Sequence, residues 1–281
     1  MGWSVLWTIG FAGVFEYTYD CNEITGVCTD PNYGYMFLLF VSFFFGHQVL
    51  QSSIHVTVAG TVGTWWHSPE ENGCCSSGVR NSFVRTVTTS FGSICFGSLL
   101  VAIIQALKAL AEQARANGDG GIGACIAECI LGCLAAMLEY FNKWAFVYVA
   151  LYGKSYLESG KEVFNLFKNR GWEAIIADDL IGNALFLVSL IVGGVMGAIA
   201  LIFEATTDWF DDFDGSGRAV AFFLGFIVGL AICSILMSTI ASAVNAIIVL
   251  FADSPREFEA NYPELSQKMR QTWNEVYPGS I

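Results

Sequence analysis

The residues of this chain best suited to chemistry lie inside apolar stretches. His47 and His55 flank Gln48, Gln51, Ser52 and Ser53 in a segment running from about residue 35 to residue 65. On a helix His47, Gln51 and His55 share one face, because they stand four apart. Polar side chains are expensive in a bilayer, so such a stripe is expected to face a bundle interior or a water-filled cavity. It reads either as a substrate or proton path or as hydrogen-bonding glue between helices. A di-histidine metal enzyme is not indicated, since no HExxH or comparable acid-rich cluster accompanies the pair. Nor do the nine cysteines, with no His or Cys partner at a suitable spacing, close a zinc site. Aromatic residues form a second set: Trp65, Trp66, Tyr140, Trp144, Tyr148 and Tyr152 all fall near expected membrane interfaces. Most are expected as belt residues. A few could instead form a cage, because a quaternary ammonium ion is held by the electron-rich faces of Trp and Tyr rather than by hydrogen bonds.

Other motifs fail on position. Gly153-Lys154-Ser155 resembles the end of a phosphate-binding loop, but the first glycine of that motif would have to stand where Tyr148 stands. Asp208 to Gly215 resembles a calcium loop, yet the alignment puts Phe210 first and Ala221 twelfth, where carboxylates are needed. Gly193 with Gly197, and Gly225 with Gly229, are GxxxG pairs that let helices approach closely. Cys125, Cys129 and Cys133 make an i, i+4, i+8 stripe that reads as packing. Cys74-Cys75 is a juxtamembrane pair open to palmitoylation, and Cys21 and Cys28 could form a disulfide in an oxidising compartment.

The elements that must position these residues are helices in a membrane. Of the 281 residues, 54% are hydrophobic and only 14% charged, and the mean hydropathy is +0.55, far too little polar surface for a soluble protein. The fold class is therefore all-α, a polytopic transmembrane helix bundle. Six apolar segments stand out, at about 3–15, 35–65, 86–111, 122–152, 180–203 and 218–251. A span needs about 20 residues. The last five qualify, while the first is too short and reads as the end of a truncated helix. Glu128, Glu139, Asn142 and Lys143 interrupt segment 122–152, which makes it the weakest crossing. The division expected is a transmembrane domain over 1–251 and a tail over 252–281.

Basic residues choose the side. With the tail and the 66–85 and 153–173 loops inside, Arg80, Arg85, Lys154, Lys161, Lys168, Arg170, Arg256, Lys268 and Arg270 are cytoplasmic. The opposite loops 16–34 and 204–216 carry Glu16, Asp20, Glu23, Asp30, Glu204, Asp208, Asp211, Asp212 and Asp214 and no base, and only Lys108 and Arg115 fall in an outer loop. The outside face is acidic.

Four words in order resemble the choline transporter-like family. They are Val58-Ala-Gly-Thr-Val-Gly-Thr-Trp-Trp66, Ser90-Phe-Gly-Ser-Ile-Cys-Phe-Gly-Ser98 with its continuation to Gln105, Asn142-Lys-Trp-Ala-Phe-Val-Tyr-Val-Ala-Leu-Tyr-Gly-Lys-Ser-Tyr156, and Ser159-Gly-Lys-Glu-Val-Phe-Asn-Leu166. The ending from Asn261 to Pro278 is similar to that of the fungal and protist branch. One departure is Tyr156, which stands in a word where animal members commonly have Phe-Cys and a small polar residue.

The resemblance implies the second half of a ten-helix transporter with cytoplasmic termini, in the plasma membrane, moving choline or a related small organic cation by alternating access. Its implied partners are the lipid bilayer and that cation, with no nucleic acid, no metal and no cofactor. On this reading His47, Gln48, Gln51, Trp65, Glu139, Tyr140 and Tyr148 are the residues to test for a pathway. The rival readings are a non-transporting scaffold, in which the polar stripe is only glue, and an intramembrane enzyme using His47 and His55.

Overall fold

The computed structural model describes residues 2–18, 33–68, 76–116, 121–170, 173–207 and 217–276. Among them every regular element is a helix: α1 (Gly2–Thr18), α2 (Tyr33–His67), α3 (Ser77–Val87), α4 (Phe91–Ala116), α5 (Gly121–Tyr152), α6 (Tyr156–Arg170), α7 (Glu173–Thr207), α8 (Gly217–Asp253), α9 (Pro255–Asn261) and α10 (Pro263–Val276). Five of these, α2, α4, α5, α7 and α8, are long and apolar enough to cross a membrane, and α1 is a short apolar helix. The expected segments are thus met one for one. A helix satisfies its own backbone groups, which is what the bilayer interior demands.

The described helices fall into two compact units, one formed by residues 1–57 and 81–163, the other by residues 58–80 and 164–281. α2 contributes to both, its last turns belonging to the second.

In the first unit α1 leans on α2: the Trp7 indole donates to the carbonyl of Leu39 at 3.0 Å, and its ring lies 4.7 Å from that of Phe43. α4 and α5 pack against each other, joined by the pairs Arg115 with Glu128, Gln105 with Glu139 and Gly97 with Asn142. α5 stops at Gly153, whose φ of 64° is the left-handed conformation that ends helices at low steric cost. Two residues later Ser155 starts α6. Its hydroxyl receives the amide of Glu158 at 3.4 Å, while the Glu158 carboxylate accepts the Ser155 amide at 3.2 Å, a reciprocal capping box. Those bonds hold the exposed Glu158 carboxyl below its usual range, the hydroxyl of Ser155 contributing most.

In the second unit α7 and α8 form a hairpin built on the two GxxxG pairs. A Cβ on Gly225 would stand 2.8 Å from the carbonyl oxygen of Met196, and one on Gly197 would stand 3.1 Å from that of Phe222. Both pairs therefore do what their spacing suggests: they bring two backbones together. α9 and α10 follow α8 after the break at Ser254.

Three expectations shift. Trp66 and Trp144 are fully buried, so neither is a belt residue; Trp66 is covered by α9, and Trp144 lies on the inward face of α5. Cys125, Cys129 and Cys133 are exposed rather than packed, because the side chains of α5 that meet α4 include Glu128 and Glu139 instead. Cys233 alone of the described cysteines is buried, and Cys95 is half-buried. Cys21, Cys28, Cys74, Cys75 and the acidic stretch Asp208 to Gly215 lie outside the described residues.

Candidate functional site

The polar interruptions of α5 organise the first unit. Each of them meets a partner on a neighbouring helix or on its own. Near one end Glu128 pairs with Arg115 of α4 at 3.1 Å. Three turns on, Glu139 accepts from the side-chain amide of Gln105, again on α4. Asn142, buried, donates from Nδ2 to the carbonyl of Gly97 at 3.0 Å and accepts the hydroxyl of Tyr156 on Oδ1. Lys143 is engaged twice. Its carbonyl accepts from Nε2 of His55 at 2.8 Å, which fixes the proton of that ring on Nε2 because a carbonyl cannot donate. Its ammonium rests 4.6 Å from the centroid of the Tyr140 ring and 5.5 Å from that of Trp144.

Two residues of α4 join these contacts into one node. Gly97 receives Asn142, and the adjacent Ser98 donates to Ser52 of α2 at 3.4 Å. Thr57 of α2 in turn donates to Thr86 of α3 at 3.2 Å. A buried amide or hydroxyl left unpaired costs on the order of 1–3 kcal/mol, so this matching is what allows an asparagine inside a crossing helix. Tyr156 closes the node from the first turn of α6. Burial pushes its phenol up from 10.0 to about 12, so it stays a neutral donor. Glycine is required opposite it, since a Cβ on Gly97 would stand 2.6 Å from the Tyr156 ring and 2.8 Å from the Phe146 ring.

The residues singled out from sequence divide into three places. Glu139, exposed, and Tyr140, half-buried, lie together on α5 with Lys143 and Trp144. Tyr148, buried further along the same helix, has its ring 5.5 Å from that of Tyr152. His47 and Gln51 are exposed on α2, with Gln48 half-buried beside them, and they make no hydrogen bond or ion pair with the described residues. Of the stripe His47, Gln51 and His55, it is His55 that turns inward to a partner among the described residues. Trp65 belongs to the second unit, where it stacks on Tyr262 with centroids 4.8 Å apart.

Asn142, Gly97, Ser98 and Tyr156 escaped the sequence reading as functional residues. Asn142 carries a signal, being a neutral amide inside an apolar run, although by itself it only weakens the crossing. Its partners lie 45 residues upstream and 14 downstream, where no local pattern joins them.

A family model described as plasma-membrane choline transporter matches residues 1–256. The chain is 34% identical over 250 residues to Protein pns1 of Aspergillus fumigatus, covering 86% of this chain and 46% of that protein. It is 32% identical over 268 residues to Protein PNS1 of Debaryomyces hansenii, at 89% and 52% coverage. Against Protein PNS1 of Cryptococcus neoformans it is 32% identical over 288 residues, at 98% and 50% coverage. These relatives are fungal, as the resemblance of the tail implies. The chain spans about half the length of the curated relatives it matches.

Proposed function

Because the chain belongs to the plasma-membrane choline transporter family, we propose that it takes part in carrying choline or a related small organic cation across the plasma membrane, as a transporter and not an enzyme. The observation that supports this most directly is the Lys143 ammonium lying over the Tyr140 and Trp144 rings, with the Glu139 carboxylate on the preceding turn. A cation without N–H donors can be recognised only by such faces and by opposite charge. Here the protein's own ammonium occupies that position. The flexible stem of lysine lets it withdraw when a substrate cation arrives. The exposed His47 and Gln51 on α2 fit the same reading, because polar groups in a span with no partner among the described residues call for a water-lined face.

The sidedness proposed is a cytoplasmic C-terminus, supported by the basic residues of α3, α6 and the tail. In a background lacking native cysteines, an impermeant reagent should reach Thr207→Cys from outside and Gln267→Cys only after permeabilisation; the reverse pattern overturns it.

Uptake of labelled choline into proteoliposomes tests the function. The chain is assayed alone and together with the part of the Aspergillus fumigatus relative that it does not cover. Saturable uptake is expected, with KM raised roughly tenfold by Tyr140→Ala or Trp144→Ala, as loss of a cation–π contact of about 1–2 kcal/mol requires. Absence of saturable uptake of choline or any other amine in both arrangements refutes the reading. It would favour a non-transporting scaffold instead, for which the mutual satisfaction of Asn142, Tyr156, Ser52 and Ser98 as plain interhelical glue is the supporting observation.

A further inference from the structure

The last turn of α2 is completed by residues 194 to 197 positions further along the chain. A helix ends with carbonyls that have no partner of their own. Here Tyr262 donates its hydroxyl to the carbonyl of Trp65 at 3.2 Å, and the side-chain amide of Asn261 donates to the carbonyls of Trp66 at 2.9 Å and His67 at 3.3 Å. The traffic also runs the other way. The Trp66 indole donates to the carbonyl of Ser254 at 3.1 Å, and His67 pairs with Glu257. Between these polar contacts lies an aromatic stack: Trp66 on Phe258 with centroids 4.0 Å apart and planes 11° apart, and Trp65 on Tyr262. Trp66 is 0% and Phe258 1% exposed, so the stack is dry.

Two features make this a strap rather than a continuation of the bundle. α8 ends at Asp253 and α9 restarts at Pro255, so the docked segment is a separate piece joined at the single residue Ser254. Every bond to α2 is non-covalent, and the ion pair at its edge joins two solvent-exposed side chains. The helix it grips is the span that bears His47, Gln48 and Gln51.

We propose that α9, with Tyr262, is a strap that docks on the C-terminal turn of α2 and lifts from it, and that its release frees that turn to move in the transport cycle. The second clause rests on the transport function proposed above; the first does not.

Hydrogen exchange of the whole chain in lipid nanodiscs, paired with uptake, tests both. The variant Asn261→Ala with Tyr262→Phe removes the three bonds to the α2 carbonyls but keeps the aromatic stack. Exchange over residues 64–68 should rise by about tenfold or more, as loss of end-capping predicts, with α7 and α8 unchanged. Unchanged exchange over 64–68 overturns the strap. Should the double variant also loosen α7 and α8, Tyr262→Phe alone decides by the same criterion. Where the wild-type chain takes up choline, the double variant should change the initial rate at least threefold; an unchanged rate overturns the transport role of the strap. A wild type that takes up nothing refutes the transport function, while the exchange result still decides whether the strap exists.

Discussion

Substituting Gly97→Ala should damage the node of the first unit out of proportion to one added methyl. That methyl would stand 2.6 Å and 3.0 Å from two carbons of the Tyr156 ring and 2.8 Å from the Phe146 ring. Carbon atoms prefer about 3.5–4.0 Å, so the rings must give way by the better part of an ångström. Neither has free space, with Tyr156 only 5% and Phe146 only 3% exposed. Overpacking of this kind costs about 1–3 kcal/mol. Moving Tyr156 also draws its hydroxyl from Asn142 and strands a buried amide, a further loss of about 1–3 kcal/mol. Alanine returns about 1 kcal/mol through its better helix propensity. The net expectation is a destabilisation of about 1–5 kcal/mol. Thermal unfolding of the detergent-solubilised chain measures it, and a cycle with Tyr156→Ala identifies its source. Once the tyrosine ring is gone most of the clash is gone, so the two changes should couple by about 1–3 kcal/mol. A neutral or stabilising Gly97→Ala, or strict additivity with Tyr156→Ala, refutes the reasoning.

The α7–α8 hairpin offers its own control: Gly225→Ala drives a methyl to within 2.8 Å of the Met196 carbonyl and should lower the melting temperature, whereas Gly194→Ala meets nothing within 4 Å and should be neutral or stabilising by up to about 1 kcal/mol. Equal effects at the two positions would contradict the packing. Because burial raises the Tyr156 phenol from 10.0 to about 12, the native state holds that proton more tightly than the unfolded chain does; its contribution to stability should be complete below pH 10 and vanish as pH rises to about 12. Unfolding midpoints between pH 9 and 12 should therefore fall more steeply for the wild type than for Tyr156→Phe, and parallel curves would count against it. Ser155→Ala removes the hydroxyl half of the capping box and keeps the backbone amide half, so the Glu158 carboxyl should return part of the way toward its ordinary range and exchange at the start of α6 should quicken; unaltered exchange there would show that the hydroxyl contributes nothing.

The crossings were legible because a run of about 20 apolar residues has few other uses. The expected 122–152 and 218–251 became Gly121–Tyr152 and Gly217–Asp253. The GxxxG pairs were legible for a similar reason: glycine at that spacing has one cheap purpose in a membrane helix. Burial of a particular aromatic was not, because it depends on what covers it. Trp66 sits at an interface by sequence, yet Phe258, far along the chain, buries it. Likewise the polar residues of α5 counted against a crossing when read alone, and only the positions of Gln105, Gly97 and His55 on other helices reverse that sign.

The Gly153-Lys154-Ser155 word carries a structural signal of its own. Judged as a phosphate loop it fails, but each of its residues has a local task that sequence chemistry can state. Gly153 takes the left-handed conformation that stops α5, Lys154 pairs with Glu162 at 2.9 Å, and Ser155 with Glu158 forms the Ser-x-x-Glu box that starts α6. A helix stop at Gly153 and a helix start at Ser155, two residues apart, make an elbow. That elbow turns the chain between α5 and α6 and sets Tyr156 where its hydroxyl meets Asn142. The word therefore serves the node without touching a ligand: were the elbow one residue longer, the tyrosine would rotate about 100° around α6 and leave Asn142 unpaired.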